Sequence, residues 1–226
     1  MERVLPNLFS ESEVKYILDY AKLHFSTIEN TDFNVKLHDS KFDLFWDVIY
    51  PKIEDALPSK TFTIKGGFVN ETSSPYKIHS DGARNPDEDM LCTILLPLSM
   101  TFEDFGRYDQ AENRLFLFDQ TSDFATTFRL FVSDQSNAPY YRFANTIDDY
   151  RVMINGMSEL PFNDHQVLSL CDHLSPDEFF GLSLKHNIPW DIGSCIIFHP
   201  HNLHVSSNFK KLGVKSKTNL VYSLKK

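Results

Sequence analysis

Residues 194–206 read SCIIFHPHNLHVS, which is two short apolar runs separated by a proline-containing turn. Each run is rich in β-branched or aromatic side chains and is bounded by turn residues, a pattern typical of buried β-strands. Pro200 ends the first run because proline lacks the N–H that a sheet ladder needs. The stretch therefore predicts two consecutive strands of an all-β core, joined by a turn that contains histidines.

Strand candidates of the same kind recur outward from this stretch, at residues 61–65, 76–79, 90–98, 114–119, 128–132, 181–190 and 218–224. Helix signals concentrate near the N-terminus. Ser10 and Glu13 form a capping box, and a second helical stretch over 42–57 is interrupted by Pro51. Helices followed by many short strands predict a mainly β fold with flanking helices (α+β), in which a double-stranded β-helix, or jelly-roll, core is backed by the N-terminal helices.

We expect one domain over residues 1–226, because a chain of 226 residues can bury a full core without disulfides or structural metals. Residues from about 135 to 177 differ from the rest of the chain in composition and in hydrophobic pattern. They are aromatic and asparagine-rich at first and then helical around 165–174. We interpret this stretch as an insertion into the domain.

The charge balance and the absence of targeting signals restrict the partners. Twenty-two Lys and Arg against 31 Asp and Glu give a net charge of −9. That charge repels phosphate backbones and disfavours nucleic acid as a partner. No apolar run approaches the roughly 18 residues of a membrane span, and the N-terminus lacks the features of a signal peptide. With three scattered cysteines, these features predict a cytoplasmic protein that does not bind membranes.

Residues 79–81 read His-Ser-Asp and are the first candidate for chemistry. Residues i and i+2 of a strand project from the same face, so the imidazole of His79 and the carboxylate of Asp81 can reach one metal ion. A second histidine would complete the facial triad of two histidines and one carboxylate that binds non-haem Fe(II). About one such pair is expected by chance in this composition. Alone, the pair is equally compatible with a surface histidine beside an Asp-Gly turn.

The order and spacing of later residues resemble those of the Fe(II)- and 2-oxoglutarate-dependent dioxygenases, in the prolyl-hydroxylase-like pattern HxD…H…K. In that family, an apolar strand is led by glycine and ends in Phe about six residues before the distal histidine. A basic residue then starts the next strand. Gly193, Phe198, His204 and Lys217 occupy those positions here. The resemblance extends over most of the chain except the insertion.

Three histidines compete for the distal position, namely His199, His201 and His204. His199 ends the first strand, and His201 lies in the turn, a mobile place for a metal ligand. His204 lies inside the following apolar strand and matches the family spacing. The resemblance therefore implies Fe(II) held by His79, Asp81 and His204, with no catalytic residue beyond these ligands.

Lys217 is the candidate anchor for the co-substrate. The resemblance implies that 2-oxoglutarate buries its far carboxylate in the barrel, where an unpaired charge is costly and a fixed cation is needed. Lysine offers a point charge in place of the bidentate arginine that most such enzymes use, so a hydroxyl or a tyrosine would have to add hydrogen bonds. Lys215 and Asn219 share its predicted strand face. The alternative is that these lysines are simply solvated on a terminal strand.

The resemblance implies an oxidoreductase that uses Fe(II), with 2-oxoglutarate and O2 as co-substrates, to hydroxylate a protein side chain or a small molecule. The carboxylate of Asp81 favours hydroxylation, because halogenases of the family replace it with a small residue. Desaturation or demethylation would use the same iron site. The alternative is a non-catalytic, cupin-like jelly-roll module that binds a metal or a ligand, since fold does not fix function. Substrate-binding residues are not indicated, although Tyr76 and Asn70 lie near the His-Ser-Asp motif.

Overall fold

The computed structural model describes residues 2–24, 26–29, 33–37, 42–79, 81, 89–103, 112–120, 162–179, 182–200 and 202–226. Its strands are β1 Arg3–Leu5, β2 Ser26–Glu29, β3 Phe33–Leu37, β4 Thr63–Thr72, β5 Met90–Phe102, β6 Arg114–Gln120, β7 Leu182–Pro189, β8 Cys195–Phe198, β9 Leu203–Ser206 and β10 Val214–Lys225. Its helices are α1 Glu11–His24, α2 Tyr50–Ile53 and α3 His165–Leu170, with a π-helical stretch Phe45–Ile49 and 3₁₀ turns Glu54–Ala56 and Pro176–Phe179.

Seven strands form the larger sheet, in the order β1-β8-β5-β10-β4-β3-β2, and every neighbouring pair is antiparallel. The central strand β10 shows why the two faces of this sheet differ. Leu220 and Tyr222 enter a hydrophobic cluster on one face, whereas Lys217 and Asn219 line a cavity on the other. This alternation follows from the two-residue period of a strand. The apolar face holds the core, and the polar face is available for a ligand.

Helical segments contribute to the cluster on the apolar face. Ile17 of α1 and Phe45 are fully buried within it, and the Phe45 ring meets the Tyr222 ring edge-on at 4.9 Å. Helix α1 begins with a capping box, in which the backbone N–H of Ser10 donates to the Glu13 carboxylate at 2.8 Å. The cap satisfies donors at the helix start that would otherwise have no intrahelical partner.

Three further strands form the smaller antiparallel sheet, in the order β7-β6-β9. Strand β6 is buried on both faces. Leu115 and Leu117 pack towards Ile196 and Phe198 of the larger sheet, while Phe116 and Phe118 pack under α3 and the following 3₁₀ turn, in a cluster with Val167 and Phe179. The fold is therefore mainly β, with two antiparallel sheets packed face to face in the manner typical of a jelly roll.

Several strand boundaries differ from those expected. Strand β4 does not stop at Gly66 and Gly67, because both residues lie in the ladder opposite Ser223 and Tyr222 of β10. Residues 76–79 do not form a strand and contribute a single bridge at His79. Strands β1, β2 and β3 were not predicted from the sequence. The strand candidate at 128–132 and most of the stretch from about 135 to 177 lie outside the described residues.

Within the described residues, no helix has the length and apolar character needed to cross a membrane.

Candidate metal centre and its cavity

His79 and His204 lie side by side although they are far apart in sequence. The backbone N–H of His79 donates to the carbonyl of His204 at 3.1 Å, and the N–H of His204 donates to the carbonyl of His79 at 2.8 Å. The centroids of their imidazole rings are 4.2 Å apart. On its other side, His204 pairs with Leu117 of β6. The small sheet therefore fixes the backbone of both histidines.

Asp81 completes the group from the end of the His79 segment. Its Oδ1 atom lies 4.0 Å from Nε2 of His79 and 3.8 Å from Nε2 of His204. One ligand atom of each residue lies within 4.8 Å of the others. Two imidazoles and one carboxylate thus converge on a common point, as the sequence predicts for a facial triad.

The hydrogen bonds of the two rings fix their tautomers. Nδ1 of His79 lies 2.9 Å from the carbonyl of Lys77, and Nδ1 of His204 lies 3.0 Å from the carbonyl of Asn202. A carbonyl can only accept, so each Nδ1 carries a proton, and in the neutral ring Nε2 is then the atom with the lone pair. A hydrogen bond from the second ring nitrogen is the usual support for a metal-binding histidine. Both Nε2 atoms are therefore prepared as ligands.

The protonation state of His79 also suits a ligand. Desolvation, with the neighbouring His204 as the next cause, lowers the pKa of His79 to about 4. The ring is therefore neutral at physiological pH, and the neutral imidazole is the form that binds a metal.

Of the competing histidines, His204 is the one that the structure brings to His79 and Asp81. Within the described residues, these three form the one group of three or more His, Cys, Asp or Glu side chains whose ligand atoms could meet at a metal ion. His199 follows β8 and is not in that group, and His201 lies outside the described residues. The Phe198 ring packs edge-on against the His204 imidazole at 5.1 Å and so restricts its orientation.

The backbone conformation just before β8 requires a glycine at position 193. Its φ angle is +79°, and a Cβ atom there would lie 2.5 Å from the carbonyl oxygen of Phe9. Its N–H donates to the carbonyl of Pro97 at 3.0 Å, and its own carbonyl accepts from the N–H of Phe9 at 2.9 Å. Only glycine accommodates both the positive φ and the close approach. The turn thereby ties β5 and the segment before α1 to the start of β8.

Lys217 is buried inside the protein, not solvated on a terminal strand. Its side chain is among the largest fully buried ones in the described residues. The ammonium donates a hydrogen bond to Oδ1 of Asn113 and lies 4.9 Å from the Trp190 ring centroid and 4.7 Å from that of Phe209. Desolvation lowers the pKa of Lys217 to about 7. No carboxylate in the described part of the chain forms an ion pair with it.

One cavity of about 680 Å³ connects the three residues of the candidate triad with Lys217. It lies between the two sheets and is lined by strand residues, turn residues and aromatic side chains. Asn70, Thr72 and Asn219 are among the lining residues, and so are Trp190 and Phe209. The two positions that sequence reasoning noted near the His-Ser-Asp motif, Tyr76 and Asn70, both line this cavity.

Asn113, Trp190 and Phe209 were missed by sequence reasoning. We expected a hydroxyl or a tyrosine beside Lys217, and the described partner is a carboxamide flanked by two rings. No short motif marks Asn113, because it meets Lys217 only where the segment before β6 comes close to β10 of the other sheet. Lys215 is exposed and does not line the cavity.

No protein-family model matches the sequence, and no curated protein matches it. Solved structures do match its fold. An oxidoreductase of the 2OG-Fe(II) oxygenase family from Burkholderia pseudomallei is similar with a TM-score of 0.52 and 13% identity, over 99% of this chain and 84% of that chain. HygX from Streptomyces hygroscopicus, with nickel and 2-oxoglutarate bound, is similar with a TM-score of 0.51 and 10% identity, over 99% of this chain and 82% of that chain.

A third similar structure is the non-heme alpha ketoglutarate dependent epimerase SnoN from nogalamycin biosynthesis. It gives a TM-score of 0.51 and 11% identity, over 98% of this chain and 77% of that chain. The chain therefore has the fold of the 2OG-Fe(II) oxygenases. Because one of these structures is an epimerase, the fold alone does not determine the reaction.

Proposed function

We propose that this protein is an Fe(II)- and 2-oxoglutarate-dependent oxygenase that hydroxylates a protein side chain or a small molecule. One observation supports this proposal above the others. A buried lysine with no carboxylate partner among the described residues faces the same cavity as two histidines and an aspartate. A metal site and an anion site in one cavity are what such a co-substrate requires.

The side chains present fit an Fe(II) ion. His79 and His204 would each give the Nε2 lone pair, and Asp81 would give a carboxylate oxygen. A mixed nitrogen and oxygen set that leaves positions open suits Fe(II) better than the closed, thiolate-rich sites of structural zinc. The backbone bridge between the two histidines holds their rings in place before any metal binds. Little conformational entropy would be lost on metal binding.

The cavity also fits 2-oxoglutarate. Lys217 would bind the far carboxylate, and the buried side chain of Asn219, which lines the same cavity, is placed to donate a hydrogen bond from its amide. The Thr72 hydroxyl already donates to the carbonyl of Ser74 at 2.7 Å. An ammonium that is desolvated without a counter-ion is unfavourable in the free protein. A bound carboxylate relieves that cost, which favours anions over neutral ligands.

When bound, the metal would supply the oxidative chemistry, in which 2-oxoglutarate and O2 give succinate and CO2 while a C–H bond of the substrate becomes C–OH. The chain's own residues bind and orient the reactants. The rings of Trp190 and Phe209 shield the Lys217 ammonium from water and thereby strengthen its pairing with a carboxylate. Halogenases of the family that the sequence resembles have a small residue in place of the carboxylate that Asp81 supplies here, so the residues present favour hydroxylation over halogenation.

The proposal is tested by adding Fe(II) and 2-oxoglutarate to the protein without oxygen. We expect a weak visible charge-transfer band, and we expect succinate release once O2 is admitted. The band should be lost in His204→Ala. A well-folded wild-type protein that binds Fe(II) but shows neither the band nor succinate would contradict the oxygenase proposal and would favour a non-catalytic metal-binding module.

A further inference from the structure

Asn113 is the direct hydrogen-bond partner of the Lys217 ammonium, and its own position is fixed on several sides. It is fully buried just before β6. Its amide Nδ2 lies 3.1 Å from the Met100 sulfur and 3.5 Å from the carbonyl of Trp190. Its backbone carbonyl accepts from the N–H of Trp190 at 3.0 Å. The carboxamide oxygen is therefore oriented towards Lys217 by contacts from β5 and from the residue that follows β7.

The partner of Lys217 is neutral, and this determines the charge of the cavity. An aspartate differs from an asparagine by one terminal atom and would fit nearly the same space. It would pair with the ammonium and cancel its charge. The carboxamide holds the ammonium in one place, and no described carboxylate compensates the positive charge.

The resulting charges balance those of a dianion. A divalent ion on two neutral histidines and one carboxylate leaves one net positive charge, and Lys217 adds a second. 2-Oxoglutarate carries two negative charges at neutral pH. The only other charged lining residue among those described, Lys65, is exposed, so solvent screens its contribution. A carboxylate at position 113 would leave the bound complex with an excess negative charge.

We infer that Asn113 is a positioning residue that holds the Lys217 ammonium through a neutral hydrogen bond and so keeps its charge available to the far carboxylate of 2-oxoglutarate. The inference rests on the proposed function. It predicts that the neutral partner lowers the stability of the ligand-free protein and raises its affinity for 2-oxoglutarate.

The test is Asn113→Asp, studied with the full chain. We expect 2-oxoglutarate affinity for the metal-loaded protein to fall on the order of 100-fold or more, because the site loses its unpaired cation. Fe(II) affinity without 2-oxoglutarate should stay within about threefold of wild type. Thermal unfolding of the ligand-free protein should move to a higher temperature, since the buried charge gains a partner. The increase in Tm that 2-oxoglutarate gives to wild type should disappear.

A matched ligand pair adds a second measurement. The 5-methyl ester of 2-oxoglutarate removes the charge of the far carboxylate and keeps the 2-oxo acid end of the molecule. Wild type should prefer 2-oxoglutarate over this analogue by a wide margin, and Asn113→Asp should lose most of that preference. Asn113→Ser keeps a neutral acceptor and should retain the preference with a weaker affinity for both ligands. This variant keeps the inference testable if Asn113→Asp does not fold.

Controls separate this inference from the proposed function. Asn187→Asp makes the same substitution at an exposed position of β7 and should change neither affinity nor Tm. Lys217→Met should lose 2-oxoglutarate binding; if it does not, the proposed anchor is wrong whatever Asn113 does. If Lys217→Met loses binding while Asn113→Asp keeps wild-type affinity and ligand preference, the inference about Asn113 is overturned. A ligand-free Asn113→Asp that is less stable than wild type and binds 2-oxoglutarate normally would overturn it as well.

Discussion

Asn70 of β4 and Asn219 of β10 lie directly opposite each other in the sheet ladder, and the side-chain oxygen of each is buried without a hydrogen-bond partner among the described residues. Both side chains line the cavity that contains the candidate triad and Lys217. A buried polar atom without a partner costs about 1–3 kcal/mol. An amide oxygen only accepts, so a substrate that donates from a hydroxyl or an amine could satisfy these two atoms, whereas 2-oxoglutarate, which has no donor, could pair only with the Nδ2 groups.

Asn219→Leu should therefore increase stability and reduce ligand binding together. The substitution removes an unsatisfied carboxamide at nearly constant volume, so Tm of the ligand-free protein should rise by about 2–4 °C for each kcal/mol recovered. Affinity for 2-oxoglutarate should fall roughly tenfold, the value of one good hydrogen bond to a charged group, because leucine lacks the Nδ2 donor that the carboxamide offers to a carboxylate. Differential scanning calorimetry and a 2-oxoglutarate titration measure the two effects. Reduced Tm with unchanged affinity would mean that the carboxamide is purely structural.

His204→Ala should abolish Fe(II) binding while the fold remains intact. A facial triad supplies three protein ligands, so removing one leaves too few to hold the ion. The measurement is Fe(II) titration without oxygen, with circular dichroism to verify folding. His201→Ala is the matched control, because His201 is the competing histidine three residues earlier in the sequence. Full metal binding by His204→Ala, with loss in His201→Ala, would show that the distal ligand is His201.

Lys217→Ala should weaken 2-oxoglutarate binding on the order of 100-fold or more, because losing one member of a buried charge pair costs about 3–5 kcal/mol. Lys217→Arg should retain part of the affinity, since the charge remains while the geometry changes. Lys215→Ala is the control at an exposed position two residues away and should bind normally. Titration of the metal-loaded variants with 2-oxoglutarate gives all three values. Loss in Lys215→Ala alone would move the anchor to that residue.

Strands were predicted best where turn residues bound a buried apolar run. Strand β9 was expected at residues 203–206 and is found there, and β5 starts at Met90 as expected and continues to Phe102. The boundaries of β4 were wrong because Gly66 and Gly67 resemble a turn in sequence, whereas pairing with β10 keeps them in the ladder. Local propensity carries no information about such long-range pairing.

The residues of the candidate site also differ in whether the sequence could predict them. The convergence of His79, Asp81 and His204 was anticipated from the resemblance to the dioxygenase family, since the first two share the short His-Ser-Asp motif and His204 matches the family spacing. Asn113 could not be, since it meets Lys217 through the packing of distant segments. A neutral polar residue at the start of a strand has no distinctive pattern, and only the fold shows what it contacts.

The last prediction concerns the pH dependence of stability. Desolvation lowers the pKa of Lys217 from 10.5 to about 7 in the folded protein, while the unfolded chain keeps the ordinary value. Between about pH 7 and 10.5, the unfolded state therefore holds a proton that the folded state has released. Stability from this group must then rise with pH, by at most about 1.4 kcal/mol per pH unit, and level off below pH 7. The physical reason is that folding buries a charge only while the lysine is protonated.

Lys217→Met isolates this contribution, because every other titrating group is shared with wild type. We measure the free energy of unfolding of both ligand-free proteins with urea from pH 6 to about 9.5. The value for wild type minus the value for Lys217→Met should increase as pH rises above 7. Saturating metal and 2-oxoglutarate should remove the trend, since a bound carboxylate stabilises the ammonium and restores its pKa. A pH-independent difference between the two ligand-free proteins would show that the Lys217 ammonium is solvated, and it would contradict both its burial and its proposed role as the anchor.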